Sequence, residues 1–134
     1  MARVTSRSTS AGLALALIVA GCGGGSKPAA APADQARAAV QRYIDAIDAK
    51  DAKAACAAMS VQSQQATGGT GRTCETNIQE AIAVSRASYV GAKATAAKVA
   101  GDHAIVTVRL GSGATTHLAA VRENGKWLFE ATAV

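Results

Sequence analysis

Apolar residues follow a helical spacing in the first part of the chain and an alternating one in the last part. Asp34 offers an N-cap for a first helix, Asp51 for a second helix that ends at residues 67–71, and a third helix begins near Thr73. The spacing places these apolar residues on one face of the first helix: Ala36, Val40, Tyr43, Ile44 and Ile47. It places these polar residues on the outer face: Arg37, Gln41, Asp45 and Asp48.

From about residue 88 the period changes to two, which predicts strands. The strands are predicted over residues 92–100, 104–110, 115–122 and 126–133. Asn124 and Gly125 separate the last two, and this dipeptide is a strong signal for a type I′ hairpin turn. The turn sets Arg122 opposite Trp127 and Ala120 opposite Phe129, on the side expected to receive the helices. The fold class predicted is α+β, with three N-terminal helices packed on a curved antiparallel sheet of about four strands.

Three stretches of this pattern, residues 38–51, 101–108 and 119–128, resemble the nuclear-transport-factor-2-like, or cystatin-like, domains. The resemblance covers residues 34–134 and implies a cone in which a curved sheet wraps around a long first helix. It also implies a pocket between helix and sheet, for which the candidate lining residues are Tyr43, Ile47, Leu118, Trp127 and Phe129. This fold hosts isomerases, cyclases, dehydratases and many non-enzymes, so it leaves the function open.

The N-terminus combines basic residues, a short apolar run and a cysteine. Arg3 and Arg7 precede the apolar run 13–20, which is too short to span a membrane because a span needs about 20 apolar residues. Residues 19–22, Val-Ala-Gly-Cys, resemble the lipobox of bacterial lipoproteins.

That resemblance implies a signal peptide over residues 1–21 and diacylglyceryl lipid on Cys22. Residues 23–33 are mostly small and show no apolar periodicity, so we predict that residues 22–33 are the lipidated cysteine and a disordered tether. We therefore expect a protein outside the cytoplasm, lipid-anchored to the bacterial cell membrane, or to the outer membrane in an organism with two membranes.

Cysteine usage agrees with export. With Cys22 assigned to lipid, Cys56 and Cys74 remain as a pair, and in an oxidising compartment we expect them to form a disulfide. In a cytosolic protein the same pair would be reduced or would bind metal. A zinc site needs about four ligands, and His103 and His117 are the histidines available.

Composition limits the other function classes. Apolar residues make up 49% of the chain but aromatic residues only 3%, so we expect a thin core. Loss of Arg3 and Arg7 with the signal lowers the formal net charge from +5 to +3, and the remaining cations are interspersed with acids. This pattern predicts no nucleic-acid partner. The glycine-rich segments lack the features of a phosphate loop, and we predict no cofactor and no metal site.

Candidate chemistry is sparse. Tyr43 could donate a hydrogen bond to an oxyanion, and Glu130 lies diagonal to His117 on the sheet face that points away from Trp127. The main hypothesis is a non-enzymatic domain, with no catalytic residues, that binds a small apolar ligand or an envelope protein. The alternatives are a small isomerase or dehydratase that uses the cone pocket, and a structural envelope lipoprotein without a ligand. Homodimer formation is left open.

Overall fold

Four helices precede four strands in the computed structural model, which describes residues 28–131. The helices are α1 Pro32–Asp48, α2 Ala52–Ala58, α3 Val61–Gly68 and α4 Cys74–Tyr89. The strands are β1 Lys93–Ala100, β2 His103–Arg109, β3 Thr115–Glu123 and β4 Lys126–Glu130. The predicted signal peptide, the lipidation site Cys22 and most of the predicted tether lie outside the described residues.

Helix α1 begins at Pro32, two residues before the predicted start at Asp34. Proline suits a first helical position because its fixed φ is helical and its missing N–H would have no partner there. The predicted apolar face is buried, but Gln41, which was predicted to point outward, is half-buried. Its side-chain oxygen accepts from the N–H of Ala94 at 2.8 Å, and its amide nitrogen donates to the carbonyl of Ala92 at 3.3 Å. Gln41 therefore joins α1 to the start of β1.

The predicted second helix is two helices, α2 and α3, separated at Met59 and Ser60. Asp51 caps α2 as predicted, by accepting from the N–H of Ala54 at 2.9 Å. Met59 is extended and forms a parallel bridge with Phe129, and the N–H of Ser60 donates to the Phe129 carbonyl at 2.8 Å. Because these backbone groups pair with the edge of β4, they are unavailable for a continuous helix. The Ser60 side chain then caps α3.

The sheet is antiparallel throughout, with strand order β1-β2-β3-β4. The hairpin register is confirmed: Arg122 pairs with Trp127 and Ala120 with Phe129. Asn124 and Gly125 have positive φ values of 50° and 77°, as a type I′ turn requires.

The two outer strands of the sheet depart from simple pairing. Strand β4 ends at Glu130, earlier than the predicted end at residue 133, because the N–H of Ala131 donates to the hydroxyl of Ser63 instead of to a strand. In β1 the register shifts between Ala94 and Ala96, which marks a bulge.

The core lies between the helices and one face of the sheet. As predicted, this is the face that carries Trp127 and Phe129. The predicted disulfide is present and joins Cys56 of α2 to Cys74 at the start of α4. Helices α1, α2 and α4 and all four strands contribute side chains to the same core, so residues 28–131 form one folding unit.

Candidate functional site

The five residues predicted to line a pocket lie together on the inner face, where they pack in the core. The rings of Tyr43 and Phe129 stack with their centroids 3.9 Å apart. Ile47 is 3% exposed and Trp127 2%, while Leu118 is half-buried against the same cluster. The sequence pattern therefore located the contact between α1 and the sheet, and side chains fill that contact.

Tyr43 is the one phenol in this contact. Burial raises its pKa to about 12, and the nearby Tyr89 phenol adds to the increase. The hydroxyl therefore stays protonated at neutral pH and can donate a hydrogen bond, but it cannot serve as a base there.

Two arginines contact Trp127 and help to hold strand β4 in place. Arg42 of α1 donates from Nη2 to the Trp127 carbonyl at 3.0 Å, and the Arg122 guanidinium carbon lies 5.8 Å from the centre of the indole ring. The indole Nε1 is buried and has no hydrogen-bond partner among the described residues. Arg42 therefore holds the backbone of β4 to α1, and Arg122 lies over the indole ring.

Glu130 lies on the outward face, as predicted from the register, and is bound by two serines of α3. The Ser63 hydroxyl donates to one carboxylate oxygen at 2.6 Å, and the Ser60 hydroxyl lies 3.1 Å from the other. Both serines are fully buried. This cluster was missed in the sequence, although the Ser-x-x-Ser spacing at the start of a helix was its visible signal. It fastens α3 to the end of β4.

His117 keeps its predicted diagonal position relative to Glu130, since it pairs with Thr107 of β2 and Glu130 pairs with Ala119. Its Nδ1 lies 3.5 Å from the Thr107 hydroxyl, and its side chain is exposed. His103 is exposed at the start of β2. Within residues 28–131, no group of three or more His, Cys, Asp or Glu side chains could hold a metal ion.

A groove of about 630 Å³ lies between the C-terminal end of α1 and the outer side of α4. Its floor is mostly apolar and its rim carries two cations and an amide. The lining residues are Lys50, Gln79, Ile82, Ala83, Arg86, Ala87 and Val90. This groove could not be predicted from the sequence, because it forms only when α4 packs against the end of α1.

The two cations of this α1–α4 groove, Lys50 and Arg86, differ in how far other groups fix their side chains. Lys50 follows α1 with a positive φ of 59°, and its side chain is exposed. Arg86 donates from Nε to the carbonyl of Asp48 at 2.9 Å and from Nη2 to its carboxylate at 3.2 Å. These two bonds orient the guanidinium, and Nη1 takes part in neither of them.

A second groove, of about 500 Å³, runs between α1 and α2. Alanines form most of its wall, and Arg42, Asp45, Asp51 and Lys126 surround it. Two of these charges already have structural roles, since Arg42 holds β4 and Asp51 caps α2. The charges of both signs balance, so this groove favours no particular ligand charge.

Comparison with known proteins adds little beyond the fold. No family model and no curated protein matches this chain. A solved structure of an uncharacterized cystatin-fold protein from Novosphingobium aromaticivorans is similar over 72% of this chain and 96% of the other, with 17% identity and a TM-score of 0.38. At that TM-score the likeness carries no argument about either fold or function. In the part of the chain described, no helix is long and apolar enough to cross a membrane.

Proposed function

We propose that this chain is a lipid-anchored, extracytoplasmic, non-enzymatic domain that binds a small apolar molecule with an anionic group. The α1–α4 groove is the observation on which the proposal rests. The lipobox at residues 19–22 and the Cys56–Cys74 disulfide support the location, because disulfides persist in oxidising compartments.

The groove has the composition that small-molecule sites usually have, a mainly apolar wall with a few polar groups that fix orientation. Val90 and the exposed methyl groups of Ala83 and Ala87 offer aliphatic surface, and Lys50 and Arg86 stand beside it as cations. A carboxylate or phosphate bound at this rim would receive charge-assisted hydrogen bonds from Arg86 Nη1 and Lys50 Nζ. The apolar part of the same molecule would cover Val90, Ala83 and Ala87.

The inner face of the sheet supports a binding role over a catalytic one. A general base must reach its substrate's proton directly or through one water. The side chains packed between α1 and the sheet are aromatic and aliphatic around Tyr43, whose raised pKa makes it a donor at neutral pH. Glu130 is directed to Ser60 and Ser63 on the other side of the sheet.

Decanoate and decanol are a matched pair of probes, because they differ in charge and share the alkyl chain. We expect decanoate to shift the amide resonances of α4 residues around Ile82 and Ala87 in a titration of residues 23–134, and decanol to bind at least several-fold more weakly. Lys50→Gln should weaken decanoate binding, whereas Lys53→Gln, an exposed lysine of α2 outside the groove, should not. Equal binding of the two probes, or shifts confined to other surfaces, would rule out this groove as an anion site.

A further inference from the structure

One half of the outward face of the sheet carries three cations and no acid. The register places the side chains of Lys93, Lys98 and Arg109 on this face, together with Ile105, which is 37% exposed. Lys93 pairs with Arg109 across the two strands, and Lys98 pairs with Ile105. The helices pack on the other face, which carries Trp127. We call these four residues, Lys93, Lys98, Ile105 and Arg109, the β1–β2 face.

No acid in the sequence of β1 or β2 offsets these charges. The nearest acids along the chain are engaged elsewhere. Asp102, in the turn between the two strands, forms an ion pair with Arg122 at 2.7 Å. On the far half of the sheet, Glu123 pairs with Lys126 in the register and Glu130 is bound by α3 serines. The positive charge is therefore concentrated on the β1–β2 half.

The N-terminal end of the domain lies beside this half of the sheet. Arg37, in the second turn of α1, reaches the carbonyl of Thr95 in β1 with Nη1 at 3.5 Å. Pro32, the first residue of α1, lies ten positions after Cys22. A chain of that length spans at most about 35 Å. Lipid on Cys22 would therefore keep Pro32, at the end of α1 beside β1, within about 35 Å of the bilayer surface.

From this arrangement we infer that the β1–β2 face docks on the anionic phospholipid surface of the membrane to which the protein is anchored. The inference rests on the lipid anchoring in the proposed function. Cations close to an anionic leaflet are attracted to it within about a Debye length, and Ile105 at the centre of the face can enter the interfacial region. The anchor within reach and the uniform charge both favour a membrane over an acidic protein as the occupant.

Vesicles test the docking without the anchor. Residues 23–134, without lipid, are mixed with vesicles of phosphatidylcholine or of phosphatidylcholine and phosphatidylglycerol in equal parts, at low salt, and binding is measured by flotation. We expect binding to the anionic vesicles only. The double variant Lys98→Gln with Arg109→Gln should bind roughly 30-fold more weakly, since each cation near an anionic leaflet contributes about five-fold.

The matched control removes the same charge from the helical side of the domain. Lys53→Gln with Arg72→Gln has the same net charge as the sheet variant, and both positions are exposed outside the β1–β2 face. We expect it to bind like the unmodified domain. Equal weakening in the two double variants, equal binding to neutral vesicles, or binding to heparin with none to vesicles would each overturn the inference.

Failure of docking and failure of the anchor give different results. If the unmodified full-length protein takes up no fatty-acid label at Cys22 while residues 23–134 still bind anionic vesicles, the anchor is contradicted and the cationic face remains a lipid-binding surface. Labelling at Cys22 without vesicle binding would contradict the docking alone.

Discussion

Reduction of the Cys56–Cys74 disulfide measures how much of the domain's stability is covalent. The bridge joins α2 to the start of α4 across a sequence separation of 18 residues. In the chain-entropy model, closing a loop of this length lowers the entropy of the unfolded chain and stabilises the fold by about 3 kcal/mol. The loop encloses all of α3, so its reduction frees the segment that carries Ser60 and Ser63.

The disulfide's contribution is large relative to the hydrophobic stabilisation that the rest of the core supplies. Eight of the nineteen buried apolar residues in the described part of the chain are alanine. Each alanine removes little apolar area from water, so the hydrophobic term per residue is small. For a domain of this size 1 kcal/mol shifts the melting temperature by about 4–8 °C. We therefore expect reduction to lower the melting temperature by roughly 12–24 °C.

Thermal unfolding of residues 23–134, followed by circular dichroism with and without a phosphine reductant, gives this shift. The double variant Cys56→Ala with Cys74→Ala is the control, and its melting temperature should be low and independent of the reductant. Intact mass shows the state of the thiols in each sample. Two free thiols in exported, oxidised protein would refute the bridge. A shift below about 4 °C on complete reduction would refute its role in stability.

Three further predictions follow from single side chains. Ser63→Ala removes the donor to Glu130 and the acceptor for the Ala131 N–H, so urea unfolding should show that the free energy of unfolding falls by about 1–3 kcal/mol. The control Ser85→Ala, whose hydroxyl bonds within its own helix, should lower it by less than about 0.5 kcal/mol. The pKa of Tyr43 is raised from 10, the ordinary tyrosine value, to about 12, so the unfolded state releases this proton at a lower pH than the folded state does. The free energy of unfolding should therefore fall as pH rises from 10 through about 12. Tyr43→Phe should flatten that part of the stability profile, and an unchanged slope would contradict the assignment. Cys22→Ser should abolish incorporation of a fatty-acid analogue, and continued labelling would place the lipid elsewhere.

The elements that depend on neighbouring residues in the sequence could be predicted. Asn124 and Gly125 set the hairpin register because few other residues tolerate positive φ at both turn positions. The buried face of α1, the cap at Asp51 and the start of α4 near Thr73 follow from equally local patterns. These features therefore appear in the structure at or near their predicted positions.

The features that depend on distant residues were missed. The chain around Met59 looks like an unbroken helix in sequence, and only the pairing with Phe129 breaks it. The binding of Glu130 by buried serines and the groove beside Lys50 have the same origin, since each needs two elements to meet. Tyr43 and Phe129 could be predicted to face each other, but sequence spacing does not tell an open pocket from stacked rings.

The two edges of the sheet bear on behaviour at high concentration. Unpaired strand edges can join to edges of other molecules and start aggregation. Here the β4 edge is occupied by the chain's own Met59–Ser60 segment, and the β1 edge carries a bulge at Ala94–Ala96 between Lys93 and Lys98. A bulge twists the edge out of register, and like charges on two approaching copies repel each other. At high concentration these edges would therefore resist joining from one copy to the next into continuous sheets.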